Sequence, residues 1–239
     1  MAATSPAPTE TLRLAARSDE TPDLVRLQLC GASAGFHAGF HTPGQYCEVH
    51  LPGRERPGYL AFASAPGDED VEFLVGRGTD FGDRLALLAS GAEVALGAPA
   101  GRGYPLAEVG ASHLWLVGAG SGCGPLRSVA RHLLDGAGRT DAGFEPGRLH
   151  LLFGARHRLP FARDVDRWAD RGAAVHATLT GAPDGWRGHH GYVQEVLAEL
   201  APDLSDAWLL VCGRPELEQG VRAAAAKLGI LSDRIATNY

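Results

Sequence analysis

An apolar run that enters a glycine-rich turn, followed by an amphipathic helix, is the most constraining feature of this chain. Residues 114–117 are apolar, and the turn Gly118-Ala119-Gly120-Ser121-Gly122-Cys123-Gly124 leads to Pro125. The apolar side chains that follow are spaced as on one buried helix face: Leu126, Val129, Ala130, Leu133 and Leu134. Glycines between a buried strand and a helix start leave backbone N–H groups open to a phosphate. Such turns also serve only to bring a strand against a helix, so the turn alone leaves both interpretations open.

The second half of the chain alternates strands and helices. Four apolar runs lack polar alternation and are typical of strands buried on both faces of a parallel sheet; they cover residues 114–117, 149–153, 175–179 and 208–211. Helical patterns follow these runs, over residues 126–134, 161–169, 192–200 and 215–228. This order predicts a doubly wound α/β nucleotide-binding domain with a parallel sheet, over residues 108–239.

The first half of the chain has the period of two that is typical of half-buried strands. Apolar and polar residues alternate over residues 25–29, 47–51 and 71–75, and each run is bounded by Gly, Pro, Asp or Ser. Short strands at this spacing predict an N-terminal antiparallel β-barrel over residues 10–107. A helical turn is expected within residues 82–89, and the domain boundary within residues 107–112.

Composition and charge exclude several classes of protein. The formal net charge is −6 with no basic run, which argues against a nucleic-acid partner. No apolar stretch approaches the roughly 20 residues of a membrane span. Residues 1–9 lack the basic end and apolar core of a secretory signal, and we expect a disordered tail there. The cysteines lack the CxxC spacing of zinc or iron–sulfur ligands, so we expect reduced thiols in a cytoplasmic protein.

The domain order and the opening turn together resemble the ferredoxin–NADP reductase superfamily. Its members are flavoproteins that pass electrons between NAD(P)H and a one-electron carrier or another acceptor. The run Gly120-Ser121-Gly122-Cys123-Gly124-Pro125 is similar to the G-[ST]-G-x-x-P turn of that superfamily. The resemblance implies that Gly120, Ser121 and Gly122 hold the NAD(P)H pyrophosphate.

A second stretch of the resemblance lies after the last long apolar run. Cys212-Gly213-Arg214-Pro215 is similar to the C-G-x-P stretch whose cysteine lies beside the nicotinamide. The resemblance implies cofactor contacts for Cys212, Gly213, Arg214 and Pro215. The alternative is a buried structural cysteine, which is common at a strand end.

Two further stretches resemble parts of the barrel domain. Residues 76–85 match a G-x-x-[ST]-x-x-L segment that binds the flavin diphosphate at a helix start, which implies Gly78, Thr79 and Phe81 as contacts. The alternative there is a tight turn in which the threonine only caps the helix. Residues 97–104 resemble the G-P-x-G-x-[FY] stretch that closes the barrel, a mostly structural role.

The flavin signature R-x-Y-S-x-x-S of the superfamily is only partly present. Aligned on Ser64, the arginine is replaced by Gly58, the tyrosine by Leu60 and the first serine by Ala61. The stretch looks more like a less-studied subgroup of plants and bacteria with F-L-A-I-A-S strands. Flavin binding is therefore expected from the overall architecture, and the flavin-binding candidates are Tyr59, Leu60, Ala61, Phe62, Ala63 and Ser64.

Two residues are candidates for contacts with the flavin ring and with the adenosine ribose of the nucleotide. In plant-type reductases a terminal aromatic residue covers the flavin ring, and Tyr239 ends this chain. Those enzymes carry an acidic residue two positions earlier, where this chain has Thr237. Arg156 follows the second strand of the α/β domain, where the adenosine ribose is recognised, and could bind a 2′-phosphate, which favours NADP. Members of the superfamily that use either nucleotide carry an arginine there, so NAD stays the alternative. The loop pair His189-His190 has no third ligand at a metal-binding spacing.

The resemblance implies a flavin-dependent oxidoreductase that passes electrons between NAD(P)H and an unidentified protein or small-molecule acceptor through FAD. Its catalytic residues would be Cys212, Tyr239 and Ser64, and FMN is the alternative flavin. A flavin-free NAD(P)-binding regulatory or accessory subunit is the rival favoured by Gly58, Leu60 and Ala61. A second rival keeps the flavin and reduces oxygen or a quinone directly.

Overall fold

The computed structural model describes residues 10–110, 112–135, 144–200 and 204–238. The predicted tail at residues 1–9 and the predicted contact at Tyr239 lie outside these ranges. The first part of the chain forms β1 (Glu10–Thr21), β2 (Leu24–Cys30), α1 (Ala34–Gly39), β3 (Tyr46–His50), β4 (Gly58–Ala61), β5 (Val71–Gly76), α2 (Asp80–Ala86) and β6 (Glu93–Leu96). The second part forms α3 (Leu106–Val109), β7 (His113–Ala119), α4 (Cys123–Leu134), β8 (Leu149–Ala155), α5 (Ala162–Asp170), β9 (Ala174–Leu179), β10 (His189–His190), α6 (Val193–Leu200), β11 (Ala207–Cys212), α7 (Pro215–Lys227) and β12 (Ile235–Thr237).

The first six strands form an antiparallel sheet that closes on itself. Its order is β4-β3-β6-β1-β2-β5. The two outer strands meet where Phe62 bridges Phe73 and the Ala63 N–H donates to the Glu72 carbonyl at 2.7 Å. Alternate side chains point inward, and the Phe62 and Phe73 rings stack there with centroids 5.5 Å apart. The predicted β-barrel is confirmed.

The second six strands form a parallel sheet with the order β10-β9-β8-β7-β11-β12. The chain runs outward from β7 to β10 and then returns to β11 on the other side of β7. The carboxyl ends of β7 and β11 therefore flank the topological switch point, where open α/β sheets bind ligands. The doubly wound domain is confirmed, although His189-His190 forms the short strand β10 and not a loop, because two residues carry no periodicity. Among the described residues, no helix is long and apolar enough to cross a membrane.

Helix α4 joins the α/β domain to the barrel. A Cβ on Gly124 would lie 3.2 Å from Cβ of Leu74 in β5, so the helix and the strand approach closely. The side chain of Arg127 is 2% exposed and donates to the carboxylates of Asp164 and Glu72. Because a buried charge is tolerated only when it is paired, these contacts fix how the two domains meet.

Candidate functional site

A cavity of about 700 Å³ lies between the barrel and the carboxyl edge of the parallel sheet. The barrel lines it with Tyr46, Tyr59, Leu60 and Ala61, and the α/β domain lines it with Gly120, Ser121, Gly122, Cys212, Gly213 and Arg214. The structure thus brings the opening turn, the C-G-x-P stretch and the start of the flavin signature to one place.

A second cavity of about 450 Å³ extends the first one along the sheet edge. Both are lined by Asp23, Leu24, Ala119, Gly120 and Arg214. The second cavity adds Arg156, Thr180, Tyr192 and Gln194. Together they form one cleft along the sheet edge, and Gly120 lies where the two cavities meet.

The glycine turn is shaped for close approach. Gly120 has φ of 60°, a left-handed conformation that favours glycine, and a Cβ there would meet nothing within 4 Å. Gly122 is the opposite case, because its Cβ would lie 2.3 Å from the Cys212 carbonyl oxygen. The turn therefore packs against the end of β11 at Gly122 and is exposed to the cleft at Gly120.

A single 3₁₀ turn, Gly120–Gly122, leads directly into α4, and the Cys123 N–H donates to the carbonyls of Gly120 and Ser121. In the described part of the chain no side chain caps this turn or α4, and the first turn of neither holds an acidic residue, so the turn itself can receive an anion. The first amides of a helix have no partner within the helix and carry a partial positive charge. Ser121 is exposed beside them and Arg214 lies across the cleft, so a pyrophosphate would find amides, a hydroxyl and a guanidinium together.

Cys212 faces the cleft as a neutral thiol. Burial raises its pKa to about 12, although a hydrogen bond from Tyr104 acts in the opposite direction. Tyr104 is itself buried and its hydroxyl donates to the carbonyl of Val211 at 3.4 Å. The thiol is therefore protonated at neutral pH, which suits contact with an uncharged ring more than nucleophilic catalysis.

Strand β4 forms the aromatic wall of the first cavity. Tyr59 is 62% exposed, and its hydroxyl donates to Glu48 Oε1 at 2.9 Å. The hydrogen bond to Glu48 and the charge of that carboxylate raise the pKa of Tyr59. The Tyr46 ring lies edge-on to it, with centroids 6.0 Å apart. A flat ring system would find two aromatic side chains and the small Ala61 on this wall.

The remaining candidates of the flavin signature, Phe62, Ala63 and Ser64, do not line the first cavity. Phe62 is in the barrel core, and the Ala63 carbonyl accepts a hydrogen bond from Arg127 at 2.8 Å. Ser64 is 1% exposed, and its Oγ accepts from the Glu72 N–H at 3.0 Å. Ala63 therefore lies at the junction between the domains and Phe62 in the barrel core, and none of the three residues lines the first cavity.

The predicted diphosphate segment lines the first cavity only with its first two residues, Gly76 and Arg77, and not with Gly78, Thr79 or Phe81. Thr79 caps α2 by accepting the Gly82 N–H at 3.0 Å, and the Gly78 N–H donates to Asp83 at 2.9 Å. The Phe81 ring covers Gly58, where a Cβ would lie 2.2 Å from the ring. Pro215 is the first residue of α7, behind the cleft, and Arg156 is exposed at the rim of the second cavity.

Several lining residues were not predicted from the sequence. Asp23 lies in the β1–β2 turn, Leu24 is the first residue of β2 and Asn238 follows β12; none carries a local pattern. Asn238 is buried and donates to the Gly44 carbonyl at 3.2 Å, which ties the chain end to the barrel. Tyr192 could have been found from the sequence, because it lies between a glycine and the apolar start of α6. Within the described ranges, no cluster of three or more His, Cys, Asp or Glu side chains is arranged to hold a metal.

We compared the chain with protein-family models, with curated proteins and with solved structures. The family model for the oxidoreductase NAD-binding domain covers residues 116–223. The chain is 31% identical over 222 residues to reductase component 2 of terephthalate 1,2-dioxygenase from Comamonas sp., with 87% of this chain and 61% of that protein aligned. It is 29% identical over 231 residues to the reductase component of propane 2-monooxygenase from Rhodococcus jostii (strain RHA1), with 90% and 59% aligned.

The chain therefore spans about three fifths of the length of these two relatives. Among solved structures, the Amycolatopsis cytochrome P450 reductase GcoB has the same fold. Its TM-score is 0.81 at 23% sequence identity, over 98% of this chain and 70% of that one.

Proposed function

Because the chain belongs to the ferredoxin–NADP reductase superfamily, we propose that it is an NAD(P)H-dependent flavin oxidoreductase that passes electrons through FAD to a separate acceptor. One observation carries this proposal: a single cleft joins the glycine turn before α4 to the aromatic wall of β4, and Cys212 also lines it. The relatives named above are reductase components of oxygenases, which supports an acceptor that is another protein; a small molecule is the alternative.

The α/β domain, residues 108–239, would bind the nucleotide. The pyrophosphate would lie on the amides of Gly120–Gly122, with Arg214 balancing its charge. The adenosine would lie in the second cavity beside Arg156 and Tyr192, and Arg156 favours NADP through its 2′-phosphate. The nicotinamide end would then reach Cys212, whose protonated thiol adds no charge there.

The barrel, residues 10–107, would hold the flavin ring. A bound flavin accepts a hydride from the nicotinamide and releases the electrons onward. The chain contributes position and exclusion of water: Tyr46 and Tyr59 form one wall, and the end of β11 forms the facing wall. Because Ala61 stands where the superfamily has a serine, the chain offers no hydroxyl at that position. The four cysteines are unpaired, which supports the proposal of a cytoplasmic location.

The rival function is a flavin-free NAD(P)-binding subunit, favoured by the missing signature side chains at Gly58, Leu60 and Ala61. An absorption spectrum of the protein after addition of FAD and removal of the excess separates the two. The proposal predicts bands near about 370 and 450 nm that bleach on anaerobic addition of NADPH, and more slowly with NADH. A protein that takes up no flavin but still binds NADPH would overturn it in favour of the rival.

A further inference from the structure

The first cavity is lined by one arginine from the barrel and one from the α/β domain. Arg77 follows β5 and Arg214 precedes α7, and both line the cavity together with Ser121 of the glycine turn. Among the described lining residues Asp23 is the single acidic one, and its Oδ1 accepts a hydrogen bond from the Thr21 hydroxyl at 2.6 Å. The cavity therefore presents two cations and one carboxylate that already has a donor, which favours an anionic ligand.

The segment that carries Arg77 packs beside the glycine turn. A Cβ on Gly76, the preceding residue, would lie 4.0 Å from Oγ of Ser121, an ordinary van der Waals distance. The Arg77 N–H donates to the carbonyl of Asp23 at 2.9 Å, and Asp23 lines both cavities, as Gly120 does. The backbone of Arg77 is thus held on the barrel side of the cleft, close to the place where the two cavities meet.

The guanidinium of Arg77 is oriented by an exposed carboxylate. Its Nη2 lies 2.7 Å from Oδ1 of Asp19, and the two side chains are 29% and 57% exposed. An ion pair this exposed contributes little to stability, so we expect the barrel to fold when Arg77 is replaced. A guanidinium has five N–H donors and the contact with Asp19 uses one of them, so others can reach phosphate oxygens.

We infer that Arg77 of the barrel binds the diphosphate of NAD(P)H together with Arg214, so that the nucleotide site includes a cation from each domain. Two guanidiniums match the two negative charges of a diphosphate. The diphosphate of FAD has the same chemistry, but the packing of Gly76 beside Ser121 favours the nucleotide. This inference rests on the proposed function, since it adds a barrel residue to the same nucleotide site.

Calorimetric titration of the protein with NADP⁺, which binds without donating a hydride, tests the inference. Arg77→Ala is expected to raise the dissociation constant by about tenfold, and Arg77→Lys, which keeps the charge, by less than about threefold. Arg54→Ala is the matched control: Arg54 pairs with Asp80 at 2.6 Å on the same barrel and lines neither cavity, so binding should stay unchanged.

Parent-like binding of NADP⁺ by Arg77→Ala overturns the inference alone, and so does an equal loss in Arg54→Ala. Failure of the parent protein to bind NADP⁺ overturns the proposed function with it.

Two further nucleotides identify the group that Arg77 contacts. The ligand 2′-phospho-ADP-ribose keeps the diphosphate and should lose affinity in Arg77→Ala as NADP⁺ does. Adenosine 2′-monophosphate lacks the diphosphate, so Arg77→Ala should bind it as the parent does. An equal loss for adenosine 2′-monophosphate overturns the inference, because Arg77 would then act on any anion in the cleft.

Flavin titrations distinguish the nucleotide diphosphate from that of FAD. Quenching of flavin fluorescence gives the dissociation constants of FAD and riboflavin, and Arg77→Ala is expected to leave their ratio unchanged. A loss of FAD affinity that riboflavin does not share would assign Arg77 to the flavin diphosphate and overturn the inference.

Discussion

The guanidinium of Arg127 lies against the carboxylate of Asp164, with Nε 2.6 Å from Oδ2, where the barrel meets the α/β domain. The same guanidinium donates to the carbonyl of Ala63, just beyond strand β4, and lies 4.4 Å from the centre of the Phe161 ring. Burial raises the pKa of Asp164, but the charge and hydrogen bond of Arg127 outweigh it and leave that pKa lowered. One buried arginine on α4 therefore sets where the β4 wall of the first cavity stands relative to the glycine turn.

Replacing this arginine is expected to destabilise the protein strongly. Arg127→Met removes the buried cation that Asp164 and Glu72 share and leaves each with one more exposed arginine, Arg167 at 3.0 Å and Arg26 at 3.9 Å. Breaking such a buried pair costs about 3–5 kcal/mol in the free energy of unfolding. Urea denaturation followed by circular dichroism measures it. Arg222→Ala breaks a more exposed pair with Glu218 on α7 and is expected to cost less than about 1 kcal/mol. Equal stabilities of the two variants would contradict the structural role of Arg127.

The free energy of unfolding is expected to decrease as the pH is lowered, because of a histidine cluster on the parallel sheet. Burial, together with the charges of the nearby His113 and His176, lowers the pKa of His150 from 6.5 to about 4. His113 Nδ1 lies 3.1 Å from His150 Nε2, and the Trp115 ring stacks on His150 with centroids 4.3 Å apart.

The unfolded chain binds a proton near pH 6.5 and the folded chain only near pH 4, so stability is lost as the pH falls through this window. Urea denaturation at several pH values between about 7.5 and 4 measures the slope. His150→Phe keeps the stacking on Trp115 and removes the titration, and its slope should be shallower. An identical slope in both proteins would assign the effect to other groups.

Most of the elements could be predicted because they carry a local pattern. The opening turn, the parallel strands β7, β8, β9 and β11 and most of the barrel strands show in the spacing of apolar side chains. The helices α1 and α3 and the strand β10 are too short to show a period, so this spacing does not predict them. Helix α1 is stabilised locally by Ser33, which accepts the Phe36 N–H, and β10 forms through its pairing with β9.

The candidate site could be predicted in part, for a related reason. The glycine turn and the end of β11 are local motifs, and both line the cleft. Phe62 and Ser64 have the same apolar surroundings in sequence as Ala61, but closure of the barrel turns them inward. Asp23 and Asn238 reach the cleft only through contacts between distant parts of the chain, which one sequence does not reveal.

Because the glycine turn packs against β11, we expect substitution of Gly122 to weaken NADPH binding. Gly122→Ala would place a methyl group 2.3 Å from the Cys212 carbonyl oxygen, so the turn must move away from the end of β11. We expect the dissociation constant for NADPH to rise by about tenfold or more, as measured by calorimetry. Gly147→Ala, where a Cβ meets nothing within 4 Å, is the control and should bind NADPH as the parent does. Parent-like binding by Gly122→Ala would contradict the proposed pyrophosphate site.

Discrimination between the two nucleotides should depend on Arg156. Its side chain is exposed at the rim of the second cavity, where a 2′-phosphate would receive a charge-assisted hydrogen bond. Arg156→Ala is therefore expected to weaken NADPH binding by about tenfold and NADH binding by less than about twofold, because NADH lacks that phosphate. The neighbouring Arg158 donates to the Asp19 carbonyl at 3.0 Å, away from the cavity, and Arg158→Ala should change neither constant. Equal losses for both nucleotides would place Arg156 on a part that they share, and unchanged binding of both would remove the reason to favour NADP.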